Sequence, residues 1–315
     1  MASEREIRRV GPEELVQQGL IARRYYLDDR TRVQIAEEFG LSRFKVARIL
    51  EDAVASGMVE IAVHAPESID IELSRALRDM FGLKMAFAVR AATEDQQVLW
   101  DAVGRITADL LSEIITDRDV LGIDCGRTLA SMTAHLERIA ACDVVQLTGM
   151  AGSVGSTSAE LVRRITQLGG GRAWSMYAPL LVEDPTTCAS LRSSRGIQET
   201  FRHHDSVTKA VVSVGAWEPG LSQVYDLLTP AESAQWADRG VVAESCALLL
   251  DGEGKRVEGL EDRRMALSEN ALRGIDQVIA IAAGQSKLRA VRAVVESGLV
   301  SSLIVDAGLA AGLVG

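Results

Sequence analysis

The sequence predicts an α/β chain in two parts, a small winged helix-turn-helix head followed by a doubly wound, Rossmann-like sheet. Three observations carry this reading. A Gly-Leu-Ser turn joins two short stretches of helical periodicity early in the chain. From Leu83 onward, short apolar runs alternate with longer amphipathic stretches, the strand–helix–strand rhythm of a parallel sheet covered on both faces. The 315 residues also suffice for one small domain and one of ordinary to large size, with the boundary expected between residues 1–65 and 66–315.

The head opens with a helix expected over Pro12–Leu27, with Leu15, Leu20, Ile21 and Tyr25 turned inward and Arg23 and Arg24 outward. Val33, Ile35, Ala36 and Phe39 give a second, short helix that Gly40 breaks. Leu41 is buried in the turn and Ser42 caps a third helix, whose inner face is Val46, Ile49, Leu50 and Ala53. Arg43, Phe44, Lys45 and Arg48 stand at the outer, N-terminal end of that helix, and no acid interrupts the run. In a helix-turn-helix these are the positions that reach base edges. Gln34, Ser42, Arg43, Phe44, Lys45 and Arg48 are therefore the candidate contacts to double-stranded DNA, against the plainer alternative of a helical hairpin with a solvated charged face. Gly57 ends the helix, and Met58–His64 alternates like a strand, either a wing or the strand that closes the head. Ile69, Leu73, Leu77 and Phe81 then form a helical stripe that serves either as a linker or as a pairing surface for a second chain.

In the body, Met85–Val89, Val120–Ile123, Asp143–Leu147, Arg172–Tyr177, Ala210–Val214, Val278–Ala282 and Leu303–Val305 read as buried strands. Gln97–Ile115, Thr128–Ile139, Ala159–Leu168 and Lys287–Val295 have helical period. Leu248–Val257, with Asp-Gly and Glu-Gly between extended segments, signals an antiparallel hairpin insertion.

In an open α/β sheet, ligands bind beyond the carboxyl ends of the strands, so the loops there are the candidate sites. In Gly122–Thr128 the loop runs from strand to helix and offers Asp124, Gly126, Arg127 and Thr128. A close backbone approach, a forked cation, a hydroxyl and a helix N-terminus together suit a phosphate or a sugar hydroxyl, and an ordinary tight strand-to-helix turn would look similar. The loop from Thr148 and Gly149 to Ser158 holds three glycines and several hydroxyls, lacks a Walker or dinucleotide fingerprint, and suits a polyol or is simply a flexible turn. Gly284–Lys287 places an ammonium in a first helical turn, against the local dipole, which an anion bound there would explain and a solvated lysine would explain as well.

No constellation assembles into a catalytic centre. G-x-S-x-G is absent, and His203-His204 have no nucleophile motif nearby. Glu244, Asp251, Asp262 and Asp306 are available as acids, bases or plain acceptors for sugar hydroxyls. Four cysteines (Cys125, Cys142, Cys188, Cys246) without C-x-x-C spacing, and histidines without ligand pairing, point to a reduced, cytoplasmic protein without metal or cofactor. No apolar window of signal or membrane-spanning length occurs. Up to His64 there are 10 Lys and Arg against 11 Asp and Glu, and beyond it 24 against 33, so phosphate would be repelled by the body and any DNA contact falls to the head.

The chain resembles the SorC family of sugar-binding bacterial transcriptional regulators. The likeness runs through Ala22–Tyr26, Gln34-Ile35-Ala36, Leu41-Ser42-Arg43, Val46–Leu50 and Ala53–Ile61 in the head. In the body it continues through Gly126-Arg127-Thr128, Gln146–Gly149, Ala178-Pro179, Asp251-x-x-Gly254, Gly284-x-x-Lys287 and Asp306. The resemblance implies a body similar to sugar-phosphate isomerase and CoA-transferase folds without their activity. It also implies a homo-oligomer, dimer or tetramer, and a sugar, polyol or sugar-phosphate effector touching Gly126, Arg127, Thr128, Thr148, Gly149 and Lys287. The expected function is thus a regulator, of repressor type, of a carbohydrate or polyol operon. The rival reading is a sugar-phosphate isomerase or deaminase with a helical extension.

Overall fold

A computed structural model describes residues 11–60, 68–151 and 158–315. The chain divides into two compact units, Met1–His64 and Ala65–Gly315.

The first unit is built from α1 (Pro12–Tyr26), α2 (Arg32–Phe39) and α3 (Arg43–Ala55). Thr31 caps α2 in a reciprocal box with Gln34, and Ser42 Oγ caps α3 by accepting from the Lys45 N–H at 3.2 Å. Between the two helices Gly40 takes a left-handed φ of 62°, which only glycine adopts cheaply, and that is why the chain turns there. Ile21, Ala22, Ile35, Ala36, Val46, Ile49, Leu50 and Ala53 form the core, with Tyr25 and Tyr26 packed against it. Leu15 and Leu20 depart from the expected inward face and are 45% and 47% exposed. At about 100° per residue, the helix that buries Ile21 must turn Leu20 aside. The wing expected over Met58–His64 falls for the most part outside the described residues.

The second unit begins with β1 (Ile69–Asp70) and α4 (Ile71–Phe81), so the expected helix starts two residues late, at an Asp70 cap. Its stripe packs on its own sheet, with Leu77 fully buried and Leu73 and Phe81 against the core. There follow β2 (Met85–Val89), α5 (Gln96–Ile114), β3 (Val120–Ile123), α6 (Arg127–His135), β4 (Asp143–Gln146), α7 (Ser158–Gly169) and β5 (Ala173–Trp174). Next come α8 (Pro185–Ser193), α9 (Arg195–His204), β6 (Lys209–Ser213), β7 (Gly215–Ala216), α10 (Gln223–Leu227), α11 (Pro230–Asp238), β8 (Val241–Ser245) and β9 (Leu248–Asp251). The chain closes with α12 (Glu269–Arg273), β10 (Gln277–Ala282), a 3₁₀ turn at Gln285–Lys287, α13 (Leu288–Glu296), β11 (Ser302–Asp306) and α14 (Ala307–Val314).

Eight strands form one sheet in the order β1-β2-β11-β10-β6-β3-β4-β5, parallel except where β1 meets β2. Successive residues of β10 divide between two cores, Val278, Ala280 and Ala282 on one face and Ile279 and Ile281 on the other, as alternation in a doubly covered strand requires. The antiparallel insertion is the three-stranded sheet β7-β8-β9, with a tight turn at Cys246-Ala247 between β8 and β9, and the hairpin expected over Leu248–Val257 follows it, Leu250 bridging antiparallel to Arg256. The strand expected over Arg172–Tyr177 is reduced to Ala173–Trp174, an edge strand with one neighbour.

Strand order fixes one further feature. From β3 the chain steps outward to β4 and β5, then returns to β6 on the other side of β3 and proceeds the opposite way through β10 and β11. The connections leaving β3 and β6 therefore diverge, and a crevice opens over the carboxyl ends of these two neighbours.

Candidate functional site

A cavity of about 280 Å³ lies at that switch point. Its wall takes Gly126, Arg127 and Thr128 from the end of β3 and Ser213, Val214 and Gly215 from the end of β6. Lys287 comes from the turn after β10, Glu244 from β8, and Ser222 and Gln223 from the start of α10. The volume is at or below the small end of the usual range for small-molecule sites, about 300–1,000 Å³, and the lining is largely polar.

The local sequence explains the placements. Gly126 has φ 145°, and a Cβ there would stand 3.2 Å from Ser213 Cβ, so glycine lets the two strand ends approach. Arg127 is held over the Trp100 ring at 4.5 Å and donates to the Gly220 carbonyl. Lys287 Nζ donates to the Val214 carbonyl at 2.5 Å. Both cations thus rest on neutral carbonyls in this cavity, and the buried carboxylate of Glu244 shares it with them. Glu244 accepts from Ser222 Oγ at 3.2 Å and from the Ala247 N–H at 3.3 Å. Burial, then the charge of Asp124, pushes its pKa up to about 7. Burial, then the charge of Arg127, pushes Lys287 down to about 8. Such paired perturbation in a cleft marks a place where ionised groups are kept short of solvent.

The other expected residues fall around this cavity. Asp124 lies beneath it, buried, accepting from Thr148 Oγ1 at 2.8 Å and from the N–H and Oγ of Ser213 at 3.1 and 3.0 Å. Thr148 is buried in that network and does not line the cavity. Gly149 packs at the backbone of Pro179, whose carbonyl oxygen a Cβ would meet at 2.5 Å. Gly284 donates its N–H to Asp306 at 2.7 Å and lies against Gln96. Residues 152–157 of the serine-rich loop are outside the described residues. Trp100, Ser213, Ser222 and Gln223 line the cavity without having been marked by any sequence motif.

On the head, Ser42, Arg43, Phe44, Lys45 and Arg48 are exposed at the start of α3, with the Arg43 guanidinium 4.9 Å from the Phe44 ring centre. Gln34 is exposed too, its Oε1 accepting from the Thr31 N–H at 3.0 Å.

Residues 65–315 match the family model described as "Putative sugar-binding domain". The chain belongs to the SorC family of sugar-binding transcriptional regulators. It is 27% identical over 299 residues to the erythritol catabolism regulatory protein EryD of Brucella abortus, covering 92% of this chain and 94% of that one. To the transcriptional regulator LsrR of Klebsiella pneumoniae it is 25% identical over 301 residues, covering 93% and 91%. The full-length sorbitol operon regulator SorC from Klebsiella pneumoniae shares the fold with a TM-score of 0.72 at 23% identity, over 96% of this chain and all of that one. By name, EryD and LsrR are regulators. Among its described residues no helix is long and apolar enough to cross a membrane.

The buried carboxyl of Glu244 makes the stability of the body depend on pH. The folded chain holds this proton more tightly than the unfolded one, where a glutamate titrates near 4.5. Its contribution is therefore complete below that pH and is lost as pH rises through about 7. Glu244→Gln should flatten this dependence, so that between pH 5 and 7 the variant loses less unfolding free energy than the parent, by up to about 3 kcal/mol. Denaturant unfolding at a series of pH values measures it, and parallel pH profiles for the two chains would exclude a buried, titrating Glu244.

Proposed function

We propose that this chain is a DNA-binding transcriptional regulator, a repressor, of a carbohydrate or polyol catabolic operon. Its effector is a sugar, polyol or sugar phosphate bound over the carboxyl ends of β3, β6 and β10. The observation that carries the reading is the cavity at the switch point, where Arg127 and Lys287 stand beside Glu244. A phosphoryl group would draw the two cations off the carbonyls they now hold, because charge-assisted hydrogen bonds are roughly twice as strong as neutral ones. Glu244, Ser222, Gln223 and Ser213 would take hydroxyls, the carboxylate as acceptor and the others as either partner. Asp124, Thr148, Gly149 and Gly284 act from behind by fixing the loops. The names of EryD and of the sorbitol operon regulator, both referring to polyols, support this ligand class.

In the head, α3 enters the major groove, with Arg43, Lys45 and Arg48 reaching phosphates and base edges, Phe44 supplying apolar contact, and Gln34 and Ser42 at the flank. The chain works in the cytoplasm as a homo-oligomer, dimer or tetramer, so its operator is palindromic, with half-sites spaced by about one helical turn or a multiple. Coupling of about 1–3 kcal/mol between effector and operator suffices for a switch.

A thermal-shift panel of free and phosphorylated sugars and polyols, followed by gel shifts on the upstream DNA with each hit, tests the effector half. A phosphorylated hit should lose most of its shift in Lys287→Ala and in Arg127→Ala, and an undiminished shift in both would remove the ligand from this cavity. For the head, Arg43→Ala and Arg48→Ala should each weaken operator binding by about 1–3 kcal/mol where the side chain reads a base. Where it meets a phosphate, the salt slope should fall by about 1 instead. Unchanged affinity and slope in both variants would show that α3 does not read the duplex.

A further inference from the structure

A second, larger cavity of about 600 Å³ lies elsewhere in the body, among α8, α9 and the segment after β9. Three arginines line it, Arg192, Arg256 and Arg264, and each has a buried Nε–H without a hydrogen-bond partner among the described residues. That is unusual, because buried donors are nearly always paired. Arg192 Nη2 donates to the carbonyls of Glu261 and Arg264 at 3.1 and 2.7 Å, and Arg264 Nη1 to those of Cys246 and Leu267 at 3.3 and 2.9 Å. Those carbonyls carry no countercharge. Among the described residues only Arg256 of the three is in an ion pair, with Glu261 and with Glu269 at 2.7 Å, and Glu269 is shared with Arg273 at 2.8 Å. Both glutamates line the cavity, and the charge of Glu261 also acts on Arg264 without contact.

Arg264 is 4% exposed, so its charge is held inside the protein at a cost. Burial first, and the charge of Arg256 next, push its pKa down to about 10, still charged at neutral pH. His204 adds no charge, since burial lowers it to about 4. Asp205 and Asp262 line the cavity from exposed positions, where solvent screens them and where they oppose a long polyanion such as nucleic acid.

We infer that this cavity is a second binding site, distinct from the switch-point crevice, for one compact oxyanion: the phosphoryl or carboxylate group of a small metabolite, held by Arg192 and Arg264. The guanidinium fork fits either group, and an anion on the terminal nitrogens of Arg192 and Arg264 supplies the contacting countercharge that both lack among the described residues. The inference does not depend on the sugar reading of the first cavity.

The test titrates the full chain with inorganic phosphate and, separately, with acetate at constant ionic strength, following arginine Nε–H signals by ¹H–¹⁵N NMR. The Arg192 and Arg264 signals should move saturably, and equally well in Lys287→Ala, which removes one of the two cations of the first cavity. Saturation by phosphate alone marks a phosphoryl group, and by acetate alone a carboxylate. Arg192→Gln should weaken the event by about tenfold or more, and should that variant fail to fold, the signals of the parent chain still decide. If neither anion moves them, or if Lys287→Ala abolishes the change, there is no second site.

Discussion

One buried carboxylate holds the candidate site together. Asp124 follows β3 and accepts from Thr148, which follows β4, and from Ser213, the last residue of β6. Three neighbouring strands are thereby tied at their carboxyl ends by a group that is itself nearly inaccessible to solvent. Burial, the largest cause, raises the pKa of this carboxyl, while the hydrogen bonds from Thr148 and Ser213 favour its ionised form. With the strand ends fixed in this way, Gly126 can pass close to Ser213 and Arg127 settles over Trp100. The spacing of the cavity's cations follows from the tie beneath them.

The geometry also explains why so polar a lining survives in a compact body. Each cation has a protein acceptor, Gly220 for Arg127 and Val214 for Lys287, so neither is left unpaired. Those acceptors are carbonyls, which a charged or hydroxyl-rich ligand can replace at small loss. The head works on the opposite principle. Its cations at the start of α3 are exposed and uncommitted to the core, on a unit of nearly balanced charge, while the acidic excess sits in the body.

Much of the fold was legible because the signals were local. Buried parallel strands need continuous apolar runs, and Met85–Val89 and Val120–Ile123 start and stop where those runs do. Arg172–Tyr177 misled because only its second and third residues pair, at the sheet edge, where the pattern of side chains says little about pairing. Leu15 and Leu20 misled because an apolar residue on a helix need not face the core of its own chain. In the candidate site, the loops after β3 and β10 could be read as strand-to-helix turns with glycine and a cation. Trp100, Ser213, Ser222 and Gln223 could not, since they meet only through the order β10-β6-β3 and the β7-β8-β9 insertion, which no short motif encodes. Glu244 was one carboxylate among four, and nothing local separated it from Asp306, which caps α14 and holds the Gly284 N–H.

Backbone hydrogen exchange of the full chain, with and without a saturating sugar or sugar phosphate found by screening, tests the central claim most directly. If the crevice over β3 and β6 holds the ligand, exchange slows at residues 126–129, 213–215 and 284–288. Slowing confined to other parts of the body, with those three segments unchanged, would contradict it.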